Sequence, residues 1–110
     1  MSGQFPPPLF FILLLSREVF LQDTVIRKYK IELDAGIHVR TAMTIMKLAE
    51  KFKSGIQIEK DGRSVDVSSP LGILTLGIAA GDEMTVKISG EDSLALAEAF
   101  DKLVESNFGE

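Results

Sequence analysis

Between Val25 and Glu110 the apolar residues change their spacing several times, and each spacing selects a kind of element. Tyr29, Ile31 and Leu33 alternate with Lys28, Lys30 and Glu32, so a strand here has one apolar and one charged face. Asp34-Ala35-Gly36 interrupts it. From Ala42 the spacing becomes helical: Ala42, Ile45, Met46, Ala49 and Phe52 share one face, Thr44, Lys47 and Lys51 lie outside, and Ser54-Gly55 supplies a stop. Ile56 and Ile58, then Val65 and Val67, alternate on either side of Asp61-Gly62, a pair that favours the tight turn of a β-hairpin. Ser69-Pro70 opens a brief helix over residues 71–76, ended by Gly77. A serine hydroxyl accepts a free N–H at such a start, and proline at the first helical position has no N–H to lose. Met84, Val86 and Ile88 alternate with Glu83, Thr85 and Lys87 as a fourth strand, and Leu96, Phe100, Leu103 and Val104 mark a last helix from Ser93 to Phe108.

The predicted order is β-α-β-β-α-β-α. Because every strand has a single apolar face, the expected fold is α+β: an open-faced two-layer sandwich, with a four-stranded antiparallel sheet carrying three helices on one face and water on the other. Residues 1–24 stand apart from this domain, which is expected to run over residues 25–110. Pro6, Pro7 and Pro8 precede an apolar run from Leu9 to Leu15, whose seven residues fall short of the about twenty needed to span a bilayer. No Lys or Arg precedes the run, and Ser16-Arg17-Glu18 is a poor cleavage context for an export signal. A start codon placed too far upstream is the favoured reading of this extension, since it shows no packing pattern. A weak membrane or partner anchor and an atypical export signal are the alternatives, and stable membrane insertion is not expected.

At 110 residues, with 45% hydrophobic and 25% charged, the chain suits one small globular domain and excludes a large multidomain enzyme. Twelve Lys and Arg against sixteen Asp and Glu give a net charge of −4, so nucleic acid is not an expected partner. The absence of cysteine removes disulfides, thiol nucleophiles and cysteine metal sites, and His38 as the single histidine removes multi-histidine clusters; no metal or cofactor is expected. The charge is unevenly spread. Residues 27–63 hold nine basic and five acidic side chains, whereas residues 82–110 hold two basic and eight acidic ones. The cationic middle either attracts an acidic partner or phosphoryl group or simply solvates ordinary surfaces.

The segment that carries chemistry is Gly36-Ile37-His38-Val39-Arg40, which places the histidine where the first strand has ended and the first helix begins. A helix start presents unpaired N–H groups and about half a positive charge, a ready place for phosphate. The same field disfavours an imidazolium, leaving one ring nitrogen free as a nucleophile. Arg40 opposes the helix dipole, which makes sense if an anion is to sit nearby, and its planar fork fits phosphoryl oxygens. Read by itself, a single histidine here is more often a cap or a surface residue.

Two motifs add context: Gly-Ile-His-Val-Arg-Thr-Ala at 36–42 and Ser-Ser-Pro-Leu-Gly-Ile-Leu-Thr-Leu-Gly at 68–77, followed by Ala-Gly-Asp-Glu-Met-Thr-Val at 80–86. In this order they resemble the HPr-like phosphocarriers of the phosphoenolpyruvate-dependent phosphotransferase system, including its nitrogen-related branch, over about Val25 to Glu110. The resemblance implies that His38 takes a phosphoryl group on its δ1 nitrogen from phospho-enzyme I and passes it to an enzyme IIA or IIB, with Arg40 steadying the phosphate. It implies a carrier rather than an enzyme, cytoplasmic and without cofactor. Ser69 matches the family's regulatory serine, the substrate in some bacteria of an HPr kinase/phosphorylase, although an N-cap role before Pro70 explains serine there equally. Leu71 and Leu74 resemble the partner-docking patch, to which Lys47 is also assigned; plain core packing is the alternative for the two leucines. One departure is Thr41, where the family usually has proline, so some preorganisation of the helix start is expected to be lost.

Two other readings are open to the sequence. One is a regulatory interaction protein of the nitrogen-related branch, since the closing Glu-Ser-Asn-Phe-Gly-Glu resembles that branch's tail; its phosphorylation state would signal without serving sugar transport. The other is an RNA or small-ligand module of similar element order. The strands offer such a module only Tyr29 for stacking, and on the face expected to be buried. A core adequate for one chain, and the need to release partners quickly, make a monomer the expected state.

Overall fold

The computed structural model describes residues 24–110; the extension expected over residues 1–24 lies, apart from Thr24, outside the described residues. Strands β1 (Thr24–Lys30), β2 (Gly55–Lys60), β3 (Arg63–Asp66) and β4 (Glu83–Ser89) form one sheet in the order β1-β4-β2-β3. All of its pairings are antiparallel. Helices α1 (Val39–Ala49), α2 (Pro70–Leu74) and α3 (Ser93–Glu105) alternate with them as expected, and a single 3₁₀ turn, Asn107–Gly109, closes the chain.

The alternation within β4 explains its central place. Met84, Val86 and Ile88 are fully buried and face the helices, while Glu83, Thr85, Lys87 and Ser89 between them retain contact with water. Helices α1 and α3 bury Ala42, Ile45, Leu96, Ala97 and Phe100 on this layer, so one contiguous core joins sheet and helices. The hairpin between β2 and β3 turns on Asp61 (φ 51°) and Gly62 (φ 80°), both left-handed, with Lys60 and Arg63 paired across it. Two successive positive φ angles are what a twist-matched two-residue turn requires.

Three boundaries differ from the sequence expectation. Strand β1 starts at Thr24 and its continuous ladder ends at Lys30, because its partner β4 spans only Ser89 to Glu83. Beyond it Ile31 still exchanges backbone bonds with Asp82 and Gly81, and Ile31 and Leu33 stay buried on the expected face. The earlier part of the strand escaped the pattern because Arg27 occupies a position facing the helices, where its Nε meets the Asp101 carboxylate of α3 at 3.2 Å. Tyr29, also on this face, stacks on Phe100 with centroids 5.4 Å apart and donates its hydroxyl to Asp101 at 2.6 Å. Burial, reinforced by that hydrogen bond, raises the tyrosine pKa well above the ordinary phenol.

The second difference is that α1 ends at Ala49 and Phe52 packs on the core from the turn that follows. A tertiary contact holds that turn: the Asp92 carboxylate, just before α3, accepts from the backbone N–H of Lys53 (2.9 Å) and Ser54 (2.8 Å) and from the Ser54 hydroxyl (2.5 Å). The third is at α3, which stops at Glu105; Asn107 and Phe108 then adopt φ of 56° and 60°.

The Ser54 hydroxyl and the backbone donors hold the Asp92 carboxyl below the usual carboxylate range, as Lys60 and the Ala79 N–H do for Asp82. For a carboxylate depressed in the folded state, the stabilisation is complete above its unfolded pKa and fades as pH falls through the folded one. Urea denaturation midpoints of the wild type are therefore expected to drop on acidification below about pH 4. Asp92→Asn should show a lower midpoint at pH 7 and a shallower acid decline, and an unchanged profile would show that this cap contributes nothing.

Candidate functional site

The site begins with a close backbone contact. Gly36 has φ +69°, and a Cβ there would lie 2.4 Å from the Ile78 carbonyl oxygen and 2.8 Å from the Ala79 Cα. Only glycine fits, both for its conformation and for the space. The next residue, Ile37, donates its N–H to the Ile78 oxygen at 2.9 Å and is buried. The chain is thereby pinned to the loop before β4 just ahead of His38.

His38 is the N-cap of α1, in extended conformation with φ −120° and ψ −174°. Its Nδ1 accepts from the Arg40 backbone N–H at 3.2 Å, so the Nδ1 lone pair, and not a proton, faces the opening turn of the helix. The side chain is about one-third exposed, 34%. Nε2, on the other edge of the ring, lies 3.7 Å from the Glu110 carboxylate. Thr41 is fully buried, and its hydroxyl accepts from the His38 N–H at 2.9 Å while donating to the His38 carbonyl at 3.0 Å. Threonine lacks the ring that would fix the φ of residue 41, but its hydroxyl holds both backbone groups of His38, which proline could not do.

Arg40 projects into solvent from the first turn of α1, its side chain 72% exposed. Its guanidinium is engaged, with Nε donating to Glu110 Oε2 at 2.9 Å and Nη2 to Oε1 at 2.5 Å, a two-pronged carboxylate contact. The pair shifts both groups: Arg40 holds the Glu110 carboxyl below the usual range, and Glu110 raises the guanidinium further. An anion beside Nδ1 would meet the Arg40 N–H and the helix start, while the guanidinium is paired with Glu110, whose carboxylate lies toward Nε2.

Glu110 was not singled out by sequence reasoning. Seventy-two positions beyond the histidine, it is brought in by the left-handed pair Asn107 and Phe108, whose aromatic ring is 3% exposed and anchors the chain's last turn against α1 and α3. The one sequence signal was an aromatic in an otherwise polar tail. The other expected residues distribute as follows. Lys47 is exposed on the last turn of α1, and Leu71, on α2, is 70% exposed. Leu74 is half-buried and packs on the core, because Ile73 fixes which side of this short helix faces inward. Ser69 caps α2, its Oγ accepting from Gly72 N–H at 3.3 Å, and is exposed. A concavity of about 430 Å³ on the open face of the sheet, lined by Ile26, Lys28, Glu59 and Lys87 among others, includes neither His38 nor Arg40.

The family model described as "PTS HPr component phosphorylation site" matches residues 25–106. The chain belongs to the HPr family. Solved HPr structures agree with it in sequence and fold. HPr-C-His from Thermoanaerobacter tengcongensis is 34% identical over 78% of this chain and 97% of its own, with a TM-score of 0.73. The phosphocarrier protein HPr from Bacillus anthracis is 33% identical over 69% and 90%, with a TM-score of 0.64. The catabolite repression protein Crh from Bacillus subtilis, described as a swapped dimer, is 30% identical over 74% and 93%, with a TM-score of 0.61. The expected open-faced α+β fold is the one observed.

If Phe108 is the anchor of this tail, Phe108→Ala is expected to cost about 3 kcal/mol in chemical denaturation and to release Glu110 from Arg40. The release is read from the Arg40 side-chain NMR signals; signals unchanged from wild type would show that Glu110 is held by other means.

Proposed function

We propose that this HPr-family protein is a phosphohistidine carrier, with His38 Nδ1 as the phosphoryl acceptor. The observation that carries this reading is the acceptor role of Nδ1 at the start of α1. The nitrogen lone pair attacks the phosphorus of phospho-enzyme I, the N–P bond forms as the donor's bond to phosphorus breaks, and the donor residue keeps that electron pair. The Arg40 N–H, released from the ring nitrogen, is then free to donate to a phosphoryl oxygen. The guanidinium supplies charge by exchanging its Glu110 contact for the incoming anion, a swap of one two-pronged partner for another. Transfer onward to an enzyme IIA or IIB component reverses these steps. The protein turns nothing over by itself, needs no metal or cofactor in this scheme, and acts in the cytoplasm as a monomer.

Partners dock around the acceptor. Leu71 on α2 and Val39 and Met43 on α1 are exposed apolar side chains, and Lys47 lies one turn beyond Met43 on the same stripe. Leu74 serves the core instead. Ser69 is a second acceptor, for an HPr kinase/phosphorylase: it is exposed at a helix start, where a dianion is electrostatically tolerated. The partner protein decides whether the phosphoryl group serves sugar uptake or nitrogen-related regulation.

Incubation with phosphoenolpyruvate and the organism's enzyme I is expected to add one phosphoryl group by intact mass, lost in acid. His38→Ala should abolish the addition and Arg40→Ala slow it by about tenfold to a hundredfold. Phosphorylation of His38→Ala at the wild-type rate would overturn the assignment. With ATP and an HPr kinase the added group should be acid-stable and absent in Ser69→Ala. The same substitution removes an N-cap and should cost about 1 kcal/mol of stability.

A further inference from the structure

We infer that Thr41 is a positioning residue for the acceptor histidine: its hydroxyl, bonded to both backbone groups of His38, keeps Nδ1 at the helix start. This rests on the carrier reading of His38 and concerns a residue that touches neither phosphorus nor the imidazole. The Thr41 side chain has no exposed surface, so its hydroxyl has no water to turn to. Its one donor goes to the His38 carbonyl oxygen (3.0 Å), and one acceptor lone pair takes the His38 N–H (2.9 Å). The two bonds grip His38 on both sides of its Cα and fix the extended φ −120° and ψ −174° from which the ring can fold back onto the Arg40 N–H. Removing the hydroxyl leaves the His38 N–H without this acceptor, while its carbonyl keeps the helical bond from the Ala42 N–H at 2.8 Å. The loss is therefore concentrated on the loop side of the histidine, at the N–Cα bond where φ is set. A His38 free to rotate there carries its ring off the cap, and Nδ1 loses the alignment that a near-attack geometry needs.

The hydroxyl and the methyl of Thr41 make separable contributions, and this provides the test. Thr41→Val keeps the shape and removes the hydroxyl; Thr41→Ser keeps the hydroxyl and opens a small cavity in the core. The expected outcome is a crossing of two orders. The valine variant should phosphorylate about tenfold or more slowly than wild type, and the serine variant within about twofold of it, even where serine has the lower denaturation midpoint. A second readout needs no phosphotransfer: ¹⁵N shifts of the imidazole should report an unprotonated Nδ1 in wild type and Ser, and a mixture of tautomers in Val. Valine with wild-type rate and tautomer would overturn the inference. So would loss of rate in serine equal to that in valine, since activity would then follow packing. If the wild type itself takes no phosphoryl group, the carrier reading fails, and the tautomer comparison still decides whether Thr41 holds the ring.

Discussion

The contact between the Gly36–Ile37 backbone and the loop at Ile78–Ala79 is the constraint on which the site depends. A strand that ends at Lys30 and a helix that begins at Val39 have no reason of their own to place a histidine anywhere in particular. The place is set because the intervening loop lies flat against another loop, at a distance that excludes even a methyl group. That second loop is itself held. Asp82 accepts from the Ala79 N–H at 2.8 Å and from Lys60 Nζ at 2.8 Å, and Lys60 donates also to the Gly77 carbonyl at 2.9 Å. Arg63, across the hairpin, donates to the carbonyl of Thr75. The β2–β3 hairpin thus steadies the segment that steadies the helix start, and the geometry of His38 is inherited from the sheet.

The uneven charge along the sequence finds its partners inside the molecule. Arg27 meets Asp101, Arg40 meets Glu110, Lys53 meets Glu91 and Lys60 meets Asp82, each pair joining the cationic middle to the acidic last third. These are largely exposed contacts, screened by salt, and their value lies more in orientation than in stability. Part of the cationic bias is therefore neutralised within the fold, at four of its nine basic residues. At Arg40 the consequence is specific: its fork is already filled by Glu110, so any anion that approached it would have to compete with that carboxylate.

Stability and chemistry are drawn from different parts of the fold. The core is apolar and closed, from Ile31 and Ile45 to Phe100 and Phe108, with Thr41 and Ser93 among its few buried polar residues. The imidazole of His38 and the Arg40 fork lie at the rim, held by hydrogen bonds instead of by burial, the ring to the Arg40 backbone N–H and the fork to the Glu110 carboxylate. Thr41 links the two, with its side chain in the core and its hydroxyl on the histidine's backbone.

The element order, the faces of the strands, the hairpin turn and the start of the second helix were legible in the sequence, because each depends on neighbours within a few positions. Alternation in β4, Asp61-Gly62 and Ser69-Pro70 are local instructions, read without knowledge of what lies across the core. The histidine at the head of a helix was legible for the same reason. The end of α1 was not, since Asp92 holds the turn that follows it, at Ser54, from thirty-eight positions away. Nor was the start of β1, where Arg27 breaks the apolar alternation and finds its countercharge on α3. Glu110 beside Arg40, and the half-burial of Leu74 against the exposure of Leu71, likewise appear only when the chain has folded. Sequence spacing carries periodicity and capping, whose range is a turn or a strand. Partners brought together by the crossing of helices over a sheet have no fixed spacing, and only the tertiary structure decides them.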